Sequence, residues 1–365
     1  CLTIMTNVAQ LTGHPADAAN FAARAALVYS NYNSIFWNGS SQSYNDCMDS
    51  THSSADANFY PLAFGLVPAS NQVAVVNYLH SRIAAIKAMP AGVYGAQYLL
   101  EGLFEAGDAD TSLGLLTTNN TRSWMTMINL GSTITAEAWS VADKSNEDLN
   151  HAWGAAPGNL IPRFVLGVRP LTAGYGQILI QPQLGKTLSF VQGTVPTIRG
   201  PVSVAVTNGA VYQLAVTIPG NVTASILVPT FSATNPVAIL DGQIVASTVS
   251  SNWLTVAGVG SGQHVLWLST NSSSVLATIV AGTTNFVITS TSLSAGGDTM
   301  TITVNGLNGH HYTLQETPSL DPALISWSNV GATQTATADN QPITFTNSSL
   351  TGTTQSYFRV VVTYP

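Results

Sequence analysis

The spacing of apolar residues changes once along this chain, near residue 163, and that change limits the folds open to it. Before it the period is helical; after it the period is two. Residues 14–37 (HPADAANFAARAALVYSNYNSIFW) start with a proline and run Ala-rich, with Phe21, Ala25, Leu27, Val28 and Tyr32 at helical spacing. A polar loop at 38–55 follows. Helical patterns then cover Phe59 to Leu66, Asn71 to Met89, Val93 to Ala106 and Asp110 to Thr117, closed by Gly, Pro or Asn signals. Short helices joined in antiparallel pairs suit a helical barrel or solenoid better than a four-helix bundle. The chain carries no strict repeat of roughly 30–50 residues, which disfavours the solenoid.

Beyond residue 163, Gln177-Ile-Leu-Ile-Gln-Pro, Ser203-Val-Ala-Val-Thr, Tyr212-Gln-Leu-Ala-Val-Thr and His264-Val-Leu-Trp-Leu alternate apolar with polar. Asn208-Gly209, Pro219-Gly220 and Asp241-Gly242 supply turns between them. This pattern predicts a β-sandwich of about 100 residues. A Ser/Thr-rich joint near 269–283 leads to a second all-β unit with strands at Met300-Thr-Ile-Thr-Val, Tyr312-Thr-Leu-Gln and Tyr357-Phe-Arg-Val-Val-Val, short enough for a fibronectin-like sandwich. The expected organisation is a multidomain α plus β chain. Helical barrel residues 1–165 come first, then a β-sandwich at 166–272 and an accessory β-sandwich at 273–365.

Charge is sparse. Ten Lys and Arg stand against 17 Asp and Glu, for a net charge of −7. A basic nucleic-acid groove is excluded, because phosphate binding needs clustered cations. No run of apolar residues is long enough to cross a membrane, and neither a phosphate-binding loop nor a dinucleotide fingerprint is present. No Cys/His cluster has metal-ligand spacing, so neither metal nor cofactor is expected. Solubility then falls to Ser, Thr, Asn and Gln, a surface common among secreted or cell-surface proteins. Cys1 and Cys47 could pair if both lay on neighbouring helices, and Asn38, Asn119, Asn221, Asn271 and Asn347 head glycosylation sequons.

Against that background residues 131–169 stand out. Glu137 sits among small residues two positions before Trp139, and Asn150-His151-Ala152-Trp153-Gly154 follows. A carboxylate supplies acid or base chemistry, while indole faces and an imidazole hold a polyhydroxylated ring. The competing reading is structural: Thr135 caps a helix and Glu137 occupies its first turn, favoured by the helix dipole. The other acids read as structural. Asp108 and Asp110 suit helix N-caps, and Glu101 and Glu105 suit a solvated helix edge. Asp46, Asp49 and Asp56 lie in or beside the polar loop at what would be a barrel mouth.

The blocks HSSADANFYPLAFGLVP (52–68), VYGAQYLLEGLFEAGDAD (93–110), RSWMTM (122–127), GSTITAEAW (131–139), NHAWGAAPGNLIPRFVLGVRP (150–170) and QGTVPTIRGPVSV (192–204) resemble the inverting α-L-rhamnosidases of glycoside hydrolase family 78. The resemblance covers roughly residues 1–225. It implies an (α/α)6 six-hairpin barrel followed directly by a β-sandwich. In that family the Glu of the T-x-E-x-W block is the general base, which would be Glu137. The His of the N-H block contacts rhamnose, which would be His151, and Trp139 and Trp124 would line the pocket. The family's general acid lies in an upstream block with no counterpart in these residues, and about half the expected helices are present.

Two functions follow from the sequence. The first is hydrolysis of terminal α-L-rhamnosides by inversion, this chain supplying the base and another portion or chain supplying the acid. The second is a non-catalytic extracellular carbohydrate-binding or surface-assembly protein on a degenerate glycosidase scaffold. In either case a partial barrel exposes apolar helix faces for an N-terminal chain or a second copy to cover.

Overall fold

A computed structural model of the chain describes residues 1–209, 211–233, 235–269, 288–294, 299–306, 308–318, 326–338, 341–348 and 357–363. Most of the expected Ser/Thr joint, residues 270–283, and the sequon at Asn271 lie outside the described residues. The chain divides into two compact units. One comprises Cys1–Ser232 with Ala246–Leu268, the other Ala233–Val245 with Ser269–Pro365.

The helical part of the first unit runs α1 (Leu2–Leu11), α2 (Pro15–Phe36), a short hairpin of β1 (Trp37–Asn38) and β2 (Ser43–Tyr44), α3 (Asp56–Ala63), α4 (Ala69–Ile86), α5 (Val93–Glu105), α6 (Ala109–Thr117), α7 (Trp124–Asn129) and α8 (Ala156–Leu160). The periodicity anticipates α2 to α6 closely. It omits α1, whose N-cap Cys1 makes no side-chain cap hydrogen bond. Pro15 opens α2 at its first turn, where a missing N–H costs nothing. Asp108 caps α6 as expected, its carboxylate accepting from Thr111 N at 3.2 Å. Helix α5 is the hub. Its Ala96, Leu99, Leu100 and Leu103 are fully buried in a cluster with Phe59 and Leu62 of α3. Gly102 allows the close approach, since a Cβ there would stand 3.1 Å from Ala63 N. The outer helices keep an uncovered apolar face, with Ile4, Val8 and Leu11 of α1 and Leu27, Val28 and Ile35 of α2 all exposed.

Strands follow directly, as the change of period requires. One sheet orders β3 (Val168–Pro170), β4 (Gln177–Ile180), β8 (Thr223–Pro229), β12 (Trp253–Val259) and β11 (Thr248–Ser250), with β4 and β8 parallel. The facing sheet carries the antiparallel run β5 (Phe190–Val195), β6 (Val202–Asn208), β7 (Tyr212–Ile218) and β13 (Gly262–Ser269). Alternate residues Val202, Val204 and Val206 of β6, and Leu214, Val216 and Ile218 of β7, point inward.

The second unit begins with the hairpin of β9 (Val237–Leu240) and β10 (Gln243–Ile244), closed by Asp241 and Gly242 at φ 50° and 82°. This is the two-residue turn that the Asp-Gly pair predicts. Its remaining strands gather Ile302, Val304, Tyr312, Leu314, Ala336, Ile343 and Phe345 into a small core. Asn347, heading one sequon, is buried and donates to Glu316 at 3.0 Å, so it offers no free amide for a glycan.

Helices and first sandwich are joined through residues 156–170. Phe164 stacks on Phe104 at 5.0 Å with planes 3° apart, and the guanidinium groups of Arg163 and Arg169 lie 5.0 and 4.9 Å from its centroid. Both cations find carboxylates on α5: Arg163 with Glu101 at 2.7 Å and Arg169 with Glu105 at 2.6 Å. The solvated edge expected for Glu101 and Glu105 is therefore an ion-pair seam, because residues distant in sequence bring two cations to it. Cys1 and Cys47 are free and exposed, and Cys47 lies in a loop rather than on a helix.

Gly167 fixes the direction in which the chain leaves the helices. Its φ is 77°, and a Cβ would stand 2.1 Å from the Gln181 carbonyl carbon. Gly167→Ala is expected to cost at least about 2 kcal/mol, since strain and overlap add; urea unfolding of the variant against wild type measures it.

Candidate active site

The segment 131–151 is an irregular loop, not the start of a helix. Thr135 and His151 close it reciprocally: His151 N donates to Thr135 O at 2.7 Å, and Thr135 Oγ1 donates to His151 O at 2.8 Å. Thr135 thus staples a loop where one reading made it a helix cap. Two residues inward, Glu137 N donates to Asp148 O at 2.9 Å, and Asp148 N returns a 3.2 Å bond to Glu137 Oε2. The Thr-Ala-Glu and Asn-His-Ala-Trp-Gly motifs are therefore one piece of structure. Gly154 is required because a Cβ there would lie 2.7 Å from Thr135 Cβ and 2.8 Å from Ala136 O.

The two indoles assigned to the sugar pocket lie elsewhere. Trp139 is 2% exposed and Trp124 is 7% exposed, packed edge to face at 5.1 Å and 88°. Trp139 Nε1 donates to Ala91 O and Trp124 Nε1 to Gly154 O, both at 2.7 Å. With ring faces covered and N–H groups spent, they hold the loop from beneath. In a sequence, a buried indole that braces a site looks the same as one that stacks on a ligand. The exposed aromatics of the region are Trp153, at 48%, and Tyr94, at 49%. Trp153 sits 4.5 Å from the His151 ring and 5.3 Å from Tyr94. The signal for it was present: it follows His151 by two residues within a short 3-10 turn, Ala152–Ala155.

Glu137 is anchored in the loop through both its backbone and its side chain. Its side chain is 12% exposed and makes an ion pair with Lys144 through Oε2. Lys144 and Asp148 N both meet Oε2, and among the described residues Oε1 has no hydrogen-bond partner. The hydrogen bond from Lys144, then that from Asp148 N, holds the carboxyl below its ordinary 4.5, with His151 adding to the effect. His151 Nδ1 accepts from Trp153 N at 3.2 Å, which makes Nε2 the N–H end of the ring. Across the same surface Tyr94 neighbours Tyr98 at 5.7 Å, and Tyr98 neighbours Tyr60 at 5.3 Å. Burial raises the Asp56 carboxyl. Burial also raises the Tyr60 phenol, with Asp56 and Tyr94 contributing. Asp46 instead pins its own loop, accepting from Ser54 N at 2.7 Å and contacting His52 at 2.5 Å.

A hairpin-built helical domain that runs straight into a β-sandwich, with a stapled carboxylate loop beside a His and an exposed indole, has the architecture of a six-hairpin glycosidase. Residues 1–165 match the bacterial alpha-L-rhamnosidase 6 hairpin glycosidase domain, and residues 167–237 match the bacterial alpha-L-rhamnosidase C-terminal domain. Over residues 1–237 the chain belongs to the bacterial α-L-rhamnosidase family.

The chain is 31% identical over 180 residues to an alpha-L-rhamnosidase of Alteromonas sp. (strain LOR), and 28% identical over 180 residues to one of Streptomyces avermitilis. Those alignments each cover 46% of this chain, but 19% and 17% of the relatives. The chain therefore spans about a fifth of the length of the curated relatives it matches. Its fold is similar to that of an alpha-L-rhamnosidase from Dictyoglumus thermophilum (TM-score 0.65, 20% identity, 73% of this chain and 30% of that one). It is also similar to Streptomyces avermitilis alpha-L-rhamnosidase complexed with L-rhamnose (TM-score 0.60, 22% identity, 72% and 25%).

The depressed carboxyl sets a pH window. A group whose folded pKa lies below its unfolded value adds stability that is complete above the ordinary 4.5 and lost as pH falls through the lower folded value. Lys144→Met is expected to raise the Glu137 midpoint toward 4.5, as read by NMR titration of its side-chain carboxyl. An unchanged midpoint would remove Lys144 from the account.

Proposed function

We propose that the protein to which these residues belong hydrolyses terminal α-L-rhamnosides with inversion, Glu137 acting as the general base. The observation that carries this reading is the state of Glu137, an ionised carboxylate on a doubly stapled loop with Oε1 open and His151 close by. In the reaction, Oε1 takes a proton from water as the water oxygen attacks the anomeric carbon. A second carboxyl protonates the departing glycosidic oxygen. Inverting pairs stand roughly 6.5–9.5 Å apart, which leaves room for that water. The second carboxyl is expected from outside residues 1–365. His151 Nε2 is suited to donate to a ring hydroxyl, with Trp153 and Tyr94 offering apolar faces beside it.

The exposed apolar faces of α1 and α2 support a related reading. Such faces are normally covered, and the covering elements proposed here are further helical hairpins of the same barrel. The charge-poor surface supports secretion or display at the cell surface.

In the full-length protein, Glu137→Gln is expected to lower hydrolysis of an aryl α-L-rhamnoside by roughly 100-fold or more, with the melting temperature little changed. His151→Ala is expected to act mainly on KM. NMR of the first-formed rhamnose should show the β anomer. Activity that survived Glu137→Gln would remove the base assignment. Rhamnoside binding without any hydrolysis by the wild type would favour the non-catalytic, carbohydrate-binding reading.

A further inference from the structure

Arg122 stands two residues before α7 and joins three segments through one guanidinium. Its Nε donates to Met89 O and its Nη2 to Ala91 O, both at 3.1 Å, in the connection that precedes α5. Its Nη1 reaches the other way, to Asp143 Oδ1 at 2.7 Å, in the irregular loop that carries Glu137. The backbone beneath it is fixed as well, Arg122 N donating to Asn120 Oδ1 at 3.0 Å. A planar guanidinium holds several acceptors in one geometry, which a flexible ammonium cannot do.

Asp143 passes that constraint on. Residues 140–144 form a turn in which Asp143 N and Lys144 N both donate to Ser140 O, at 3.0 and 3.2 Å. Ser140 Oγ donates to Asp143 Oδ2 at 3.3 Å, so each oxygen of the Asp143 carboxylate has its own partner. The next residue is Lys144, whose ammonium meets Glu137 Oε2. A lysine side chain loses much rotamer freedom in such a contact, and the contact gains little in return near solvent. It persists most readily where the lysine backbone is already held, and Asp143 holds it.

The Arg122 and Asp143 side chains are 31% and 33% exposed, so their ion pair adds little stability of its own. What it supplies is position. We propose that Arg122 and Asp143 are positioning residues for Glu137, fixing the 140–144 turn and, through it, the Lys144 ammonium on Oε2. Neither residue touches the Glu137 carboxylate in a hydrogen bond or ion pair; both act through Lys144. The kinetic consequence rests on Glu137 being the general base, and the positional one does not.

Asp143→Asn in the full-length protein separates position from charge. Loss of a nearby negative charge, acting alone, lowers the Glu137 midpoint, whereas release of Lys144 from Oε2 raises it. NMR titration of the Glu137 carboxyl is expected to show a rise. His151, the other charged group acting on Glu137, is common to every variant and cancels. Lys144→Met alone raises the midpoint, and adding Asp143→Asn to it should raise it no further, because the path runs through Lys144. Arg122→Lys keeps the charge but cannot span the two carbonyls and Asp143, and it should act as Asp143→Asn does. If Arg122→Lys fails to fold, Asp143→Asn decides alone. On an aryl α-L-rhamnoside, Asp143→Asn is expected to lower kcat about tenfold with KM little changed, its acid limb moving up with the midpoint. A midpoint that falls or stays in Asp143→Asn overturns the positioning role, as does a further rise in the double variant. Unchanged kcat in Asp143→Asn, with Glu137→Gln inactive, overturns it too. A raised midpoint in a protein whose Glu137→Gln variant stays active upholds the positioning and removes only the general base.

Discussion

Two backbone carbonyls, of Met89 and Ala91, organise the site. They lie in the short connection before α5, and Arg122 reaches both, through Nε at 3.1 Å and Nη2 at 3.1 Å. Trp139 Nε1 joins at Ala91 O. Hydrogen bonds from a cation to carbonyls are stronger than neutral ones, and in a buried setting their loss leaves acceptors unpaired. This clamp fixes α7, the Glu137 loop and the N-terminus of α5 relative to one another. Trp124 extends it to Gly154, and so to His151. The placement of Glu137 is thus inherited from the Arg-Ser-Trp block, which itself makes none of the hydrogen bonds to the Glu137 carboxylate.

The opposite end of α5 is fixed by different means. Phe104 and Phe164 stack there, and Arg163 and Arg169 cover Phe164 while pairing with Glu101 and Glu105. Burial draws the Arg169 guanidinium below its ordinary range, yet the neighbouring Glu105 and Glu101 favour its charge. A helix held at one end by carbonyl acceptors and at the other by an aromatic and ionic seam is a rigid bar. Both the candidate active site and the join to the first sandwich rest on it.

The architecture was legible in the sequence because it depends on local patterns. Helical period before residue 163, alternation after it and Asp-Gly at the hairpin each act over a few residues. The motif blocks identified Glu137 and His151 as one locality, and the loop brings them together. The roles of the indoles were not legible. Whether Trp139 or Trp153 shows its face depends on which backbone carbonyl lies nearby, and that is a tertiary fact. The pairing of Glu101 with Arg163 and of Glu105 with Arg169 was hidden for the same reason, since their partners lie 62 and 64 residues away.

Charge placement carries a signal that periodicity does not. Among the described residues, Arg122, Lys144, Arg163, Arg169 and Lys186 each pair with a carboxylate, and all five pairs fall between residues 101 and 186. Exposed pairs contribute little to stability, so their concentration there is poorly explained as general stabilisation. Their partners instead include the Glu137 loop, through Lys144 and through Arg122 with Asp143, and the join between α5 and the first sandwich, through Glu101 and Glu105. In a chain that otherwise solves solubility with neutral polar groups, ionic contacts are kept for segments whose geometry must be held.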